Sequence, residues 1–229
     1  MKAPRIFLIH ATALAIDPIT AAFARQWPEA QIINLLEDSL SRDRVEEGEL
    51  TANMKARFLT LSRYAVQSAA DAILFTCSAF GDAIDLCKAD IAIPVLKPNE
   101  AMINLALTQA TRIAVLATFE PTLISIMAEF TQAAERSGRV LEVAPYFVPG
   151  AMQALNEGNK ESHDAAIAQM AGQVRGCDLI CFAQFSMTSA AGQAQSRSGL
   201  PVLTTPDSAV LEVRRMLQAD DSFLPRMEV

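Results

Sequence analysis

Apolar positions along the chain fall into two periods. Residues 5–10, 31–36, 72–75, 93–96 and 112–117 form short apolar runs bounded by polar or turn-forming residues, which predicts strands. The stretches from Pro18 to Trp27, Asp43 to Ala70, Asp82 to Ala89 and Glu100 to Gln109 are compatible with helices. In the second of these, Met54, Phe58, Leu61 and Ala65 recur every three or four residues and share one face. Glu46-Glu47-Gly48-Glu49 reads as a solvated loop. Strands alternating with helices predict an α/β protein with parallel sheets and right-handed crossovers.

The pattern repeats. A shift of 107 residues carries Arg5 onto Arg112, Phe23 onto Phe130, Asp71 onto Asp178 and Pro94 onto Pro201. The block from Asp71 to Leu96 aligns with that from Asp178 to Leu203 without a gap. A constant offset across separated anchors predicts a duplicated α/β unit. The expected halves are residues 1–98 plus 206–229 and residues 99–205. Ser208 to Leu217 takes the place of the Glu100 helix and is expected to pack back on the first half. The fold expectation is two pseudo-symmetric, flavodoxin-like parallel-sheet halves with the active site in the cleft between them.

Composition narrows the function. Of 229 residues, 51% are hydrophobic and 20% charged, as in ordinary globular proteins. A net charge of −7 has the wrong sign for nucleic acid or an anionic membrane surface. The apolar run near the start is too short for a signal peptide, and none approaches a membrane span of about 18 residues. A cytoplasmic setting is expected. The four cysteines make no disulfide framework, and with only two histidines no metal site is expected.

Chemistry concentrates where strands end, because α/β sheets bind ligands beyond the carboxyl ends of their strands. Those ends are His10-Ala11-Thr12, Thr76-Cys77-Ser78 and Lys97-Pro98-Asn99 in the first half. In the second they are Thr118-Phe119-Glu120, Gln184-Phe185-Ser186 and the stretch from Thr204 to Asp207. Cys77 sits where a strand hands over to a helix, whose N-terminus can lower the thiol pKa. Equally, Cys77 could be one more small buried residue. The repeat sets Gln184 opposite Cys77. Cys181, three residues before Gln184, belongs to the other strand face and reads as core. Thr118 and Thr122 could bind substrate or serve a helix N-terminus, and Ser186 could likewise be a cap. Asn99 and Asp207 are candidate caps. His163, between acidic neighbours, reads as a solvated helix residue. Phe80, Phe119 and Phe185 suggest an apolar side to a ligand.

The two-fold repeat, the thiol ending a central strand, and Ala117-Thr118-Phe119-Glu120-Pro121-Thr122 resemble the aspartate/glutamate/hydantoin racemase family. That family also includes arylmalonate decarboxylase and maleate cis–trans isomerase. The tracts 75–81, 97–102 and 183–187 resemble a subgroup described only as racemase-like. The resemblance implies chemistry without cofactor or metal, on a carbanion or enolate next to a carboxylate or carbonyl of a small-molecule substrate. It is compatible with a homodimer or higher assembly. Cys77 and Gln184 become the candidate catalytic positions. His10, Thr12, Ser78, Asn99, Thr118, Thr122, Phe185 and Ser186 become candidate substrate-binding residues. The chain departs from the pattern at Gln184, where a two-base racemase carries a second cysteine. Gln cannot ionise, so two-thiol racemisation is disfavoured. One-thiol decarboxylation, covalent addition of Cys77 and a one-thiol racemase stay open. A binding module that kept the cleft but lost half the chemistry is the alternative from outside enzymology.

Overall fold

A computed structural model describes residues 3–221, and side chains through residue 218. The chain divides into two compact units, one running through Pro98 and resuming at Ala209, the other Asn99–Ser208.

The first unit alternates β1 (Arg5–His10), α1 (Ile16–Gln26), β2 (Gln31–Leu36), α2 (Ser39–Glu47) and α3 (Ala52–Gln67). It continues with β3 (Ala72–Phe75), α4 (Gly81–Asp90) and β4 (Val95–Leu96). The strands form one parallel sheet in the order β2-β1-β3-β4. β1 and β3 are central, and Ile6 to Ile9 and Ala72 to Phe75 are all buried. A central parallel strand covered on both faces needs such an unbroken apolar run. β2, at the edge, mixes partly buried and exposed positions and has no fully buried residue.

The second unit holds α5 (Glu100–Gln109), β5 (Arg112–Ala117), α6 (Glu120–Ser137), β6 (Glu142–Phe147), α7 (Ala151–Asn156) and α8 (Lys160–Ala171). After them come β7 (Leu179–Phe182), α9 (Ala191–Ser198), β8 (Val202–Thr204) and the start of α10 (Thr205–Asp221). Its sheet has the matching order β6-β5-β7-β8, also parallel. Ile6 pairs with Ala72 and Ile113 with Leu179, so the offset of 107 holds for the central strands. It slips to 111 at the edge, where Arg5 pairs with Gln31 but Arg112 with Glu142. Pro145, which has no N–H to donate, is tolerated in β6 because that strand is an edge.

Several elements differ from the sequence expectation. The helix expected over 43–70 is two helices, broken at Gly48, which adopts φ +73 as a left-handed C-terminal residue. Glu46 and Glu47 are therefore the last residues of α2 and not a loop. The Thr51 hydroxyl accepts the Met54 N–H and starts α3. Asn99 occupies the N-terminal position of α5 without capping it; its amide Nδ2 donates to Glu129 Oε1 at 3.3 Å. Asp207 is also not the cap. Thr204 Oγ1 accepts the Asp207 N–H at 3.3 Å and donates to Asp207 Oδ2 at 2.6 Å. Thr204 is thus the side-chain cap, and Asp207 is the third helical residue. From Ala209 onward α10 belongs with the first unit. There the Arg214 guanidinium donates to the Gln26 carbonyl at 3.1 Å and lies 5.9 Å from the Trp27 ring centroid.

Candidate active site

In the first unit the site is built on the carboxyl ends of β1 and β3. Cys77 is the extended residue preceding a 3-10 turn, Ser78–Phe80, that leads into α4. The turn is anchored by Phe80, fully buried, whose ring centroid lies 4.8 Å from that of Phe58; Phe58 in turn stacks on Phe75 at 5.2 Å. Phe80 thus fixes the thiol from beneath and is not available to line a ligand. The Cys77 side chain is itself partly exposed. Its dense surroundings still push its thiol pKa up, only partly opposed by a hydrogen bond from the Ala79 backbone. The lowered pKa expected from the helix N-terminus is not what the local geometry produces: desolvation outweighs it.

The other three thiols sit elsewhere. Cys87 is buried in α4, Cys177 precedes β7, and Cys181 lies within β7 at 0% exposure, its thiol pushed far up by burial. Cys77 alone among them lies at the carboxyl end of a strand.

His10, at the end of β1, is fully buried, and both ring nitrogens are engaged. Nδ1 lies 2.8 Å from Thr76 Oγ1 and Nε2 lies 2.9 Å from Asn34 Oδ1. Burial lowers its pKa, with the Asn34 hydrogen bond opposing, so the ring is neutral near pH 7. A neutral ring satisfies both neighbours, Nε2–H donating to Asn34 and Nδ1 accepting the Thr76 hydroxyl proton. His10 therefore ties β1, β2 and β3 together at their ligand ends, with no ring nitrogen left to offer. Asn34 carries no sequence signal for this role, because only the parallel pairing of β1 with β2 brings it beside His10. Further out, the Ser41 hydroxyl donates to the Ala11 carbonyl at 2.6 Å. Arg57 bridges Glu37, Ser39 and Asp43, holding α2 against α3.

In the second unit the corresponding ends are those of β5 and β7. Thr118 is buried, and both its backbone N–H, at 2.7 Å, and its hydroxyl, at 3.0 Å, donate to Gln184 Oε1. Thr118 caps no helix; Phe119 holds that position, without a side-chain bond. Gln184 is half-buried and precedes the 3-10 segment Phe185–Ala190. Phe185 is buried, Phe119 exposed, and Ser186 and Thr122 half-buried. The segment is tethered from behind. Asp164 Oδ1 accepts from the Ser189 hydroxyl and from His163 Nδ1, both at 2.8 Å. His163 is fully buried in α8 and not solvated as its acidic neighbours suggested; its Nε2 has no partner. The sequence carried no signal that Ser189 and His163 share one carboxylate.

The candidate residues thus sort by commitment. His10, Asn99, Thr118 and the Gln184 carbonyl are buried or bonded within their unit. Ser78, Thr122 and Ser186 are half-buried, with hydroxyls that make no hydrogen bond among the described residues. Thr12 is half-buried and accepts the Leu14 N–H at 3.4 Å. Among the described residues no group of three or more His, Cys, Asp or Glu side chains is placed to hold a metal ion, and no helix is long and apolar enough to cross a membrane.

Two four-stranded parallel sheets with a thiol at the carboxyl end of a central strand define an α/β protein of the racemase type. Residues 9–213 match the model of the Asp/Glu/hydantoin racemase family, and the chain belongs to that family. Membership classes it with the racemase-family isomerases. None of the curated proteins compared matches the chain. Glutamate racemase from Bacillus anthracis is similar over 100% of this chain and 86% of its own, with a TM-score of 0.73 at 13% identity. Allantoin racemase from Klebsiella pneumoniae is similar over 95% and 89%, with a TM-score of 0.70 at 20% identity. A mutant of arylmalonate decarboxylase is similar over 94% of each chain, with a TM-score of 0.66 at 14% identity. At these identities the likeness is one of fold.

Proposed function

We propose that this chain is a cofactor-independent, racemase- or isomerase-like enzyme. It acts at the carbon next to the carboxylate or carbonyl of a small acid or cyclic amide. Cys77 serves as acid/base or nucleophile, and Gln184 stands in place of a second cysteine. The observation carrying this reading is the position of Cys77, the one thiol of four at a strand's ligand end and partly open to solvent. Ser78, Thr122, Ser186 and Thr12 supply hydrogen bonds to the substrate. Preorganised neutral donors of this kind stabilise a developing enolate without adding charge. His10, Asn99, Thr118 and Phe185 shape and support the site from behind. The four free thiols suit a reducing, cytoplasmic setting; homo-oligomerisation rests on family resemblance alone.

Protonation decides between chemistries. A thiol held above its ordinary pKa carries its proton at neutral pH, so Cys77 in the ligand-free protein is a proton donor. This favours a second reading, a one-thiol decarboxylase of malonate type. The C–C bond to one carboxylate breaks, carbon dioxide leaves, and the electron pair remains as an enolate. The enolate carbon then takes the Cys77 proton, and the resulting thiolate is reprotonated from solvent. Racemisation instead requires Cys77 to act as thiolate, with water or another group serving the far face.

Deuterium exchange at the α-carbon and carbon dioxide release, measured over dicarboxylates, arylmalonates and hydantoins, separate these readings. Cys77→Ala and Cys77→Ser should lose about 10²- to 10⁴-fold in rate; full retention in either variant would remove Cys77 from the chemistry. Gln184→Cys should create or raise α-proton exchange. Carbon dioxide release without exchange of the starting acid selects the decarboxylase. Tight binding with neither reaction selects a non-catalytic binding module. Alkylation of Cys77 in the ligand-free protein should rise only above the ordinary thiol value of 9.0.

A further inference from the structure

Gln184 is more than the absence of a thiol. Its carbonyl oxygen receives two hydrogen bonds from a single buried residue, the backbone N–H and the hydroxyl of Thr118, at 2.7 and 3.0 Å. A backbone N–H can only donate, so the atom facing it must be the amide oxygen, never the nitrogen. The amide cannot turn over without setting its NH2 against the Thr118 backbone N–H and stranding that buried donor. Its NH2 group, on the other limb of the same planar amide, is left to donate from a half-exposed position at the carboxyl end of β7. Free glutamine presents donor and acceptor alike; this one presents a donor.

We infer that Thr118 is a positioning residue that makes Gln184 a one-way reader: the site accepts a hydrogen-bond acceptor oxygen there, a carboxylate or carbonyl oxygen of the ligand, and rejects an ammonium or N–H group. This deepens the proposed function and rests on it in assigning that oxygen to the substrate. The rejection is a matter of repulsion between donors and not of missing contact, which makes it a specificity element in its own right. Position 184 also has no group that ionises to take or give the reacting proton. The group docked on it is therefore held while any proton transfer takes place elsewhere.

The test uses malonate and propane-1,3-diamine as matched probes of opposite hydrogen-bond character, titrated into the whole 15N-labelled chain while the Gln184 side-chain amide signals are followed. Malonate should shift those signals saturably and the diamine should not. Gln184→Glu keeps both Thr118 bonds but replaces the outward donor with an acceptor carrying negative charge. It should weaken malonate by about 100-fold or more and favour the diamine. Thr118→Val removes the hydroxyl bond and should weaken malonate by about tenfold, while Thr118→Ser should restore it, a rescue that a merely packing role would not give. If the amide is silent while malonate still protects Cys77 from alkylation, the inference falls and the Cys77 assignment stands. If the amide responds and Cys77 is neither protected nor needed for turnover, the acceptor site stands and the Cys77 assignment falls. If neither responds, both fall. Should Gln184→Glu fail to fold, the wild-type titration decides alone.

Discussion

The carboxyl ends of β1/β3 and of β5/β7 occupy equivalent places in the two units, yet their polar pairs differ by one residue. In the first unit the bonded pair is His10 with Thr76; in the second it is Thr118 with Gln184, and both pairs span 66 residues. Carrying His10 and Thr76 across by 107 lands on Ala117 and Ala183, and carrying Thr118 and Gln184 back lands on Ala11 and Cys77. Successive strand residues face opposite ways, so a one-residue shift moves a polar pair from one face of the sheet to the other. The first unit spends its polar pair on tying strands together and leaves the Cys77 thiol out of that pair, with a hydrogen bond from the Ala79 backbone. In the second unit the pair sits where the thiol would be, and its function becomes hydrogen-bond presentation. The difference shows how a duplicated scaffold divides labour without changing strand order.

His10→Ala should break the first pair hardest. It opens a cavity in a site with 0% exposure and takes a partner from the buried Thr76, costing about 2–4 kcal/mol in urea unfolding. The same residue sets a pH dependence. Its folded pKa lies below 6.5, so the unfolded chain binds the proton first as pH falls. The stability it contributes is complete above pH 6.5 and is lost as pH drops toward the folded value; His10→Gln should flatten that slope. Asp164→Ala should cost about 1–3 kcal/mol by leaving His163 Nδ1 and Ser189 without their shared acceptor. Gln184→Ala should cost only about 1 kcal/mol or less, because water can reach the Thr118 donors that the half-exposed side chain leaves. A result in which Gln184→Ala destabilises as much as His10→Ala would erase the proposed division between structural and presenting pairs.

The smallest effect comes from a second place where the units differ. Ala69 has φ +58, and its equivalent 107 residues on, Gly176, has φ +72. Both precede a central strand in the left-handed region that favours glycine. Ala69→Gly should raise stability by about 0.5–1 kcal/mol, since relief of backbone strain exceeds the added entropy of the unfolded chain. Gly176→Ala should lower it similarly. Calorimetric melting of both variants checks the sign.

Much of this was legible along the chain because it depends on local period and on self-similarity. The central strands declare themselves as apolar runs closed on both sides by polar residues, and the offset of 107 places β7 by reference to β3. Cys77 stood out because a strand end is visible wherever an apolar run stops. Less legible was anything requiring two distant residues to be neighbours. The break at Gly48 hid inside a long helix-compatible stretch because a single glycine interrupts periodicity only weakly. Asp207 looked like a cap because its type suits that role, whereas the backbone gave the role to Thr204 one turn earlier.

The sequence by itself determined an α/β protein with a repeated parallel-sheet unit, one thiol at a strand's ligand end, and a glutamine where a partner thiol was expected. Only the tertiary structure decided what those residues are free to do. It committed His10 to Thr76 and Asn34, buried His163 against Asp164, raised the Cys77 pKa instead of lowering it, and turned the Gln184 amide outward by its donor. Desolvation and hydrogen-bond saturation depend on which atoms surround a group in three dimensions, and no period along the chain encodes that.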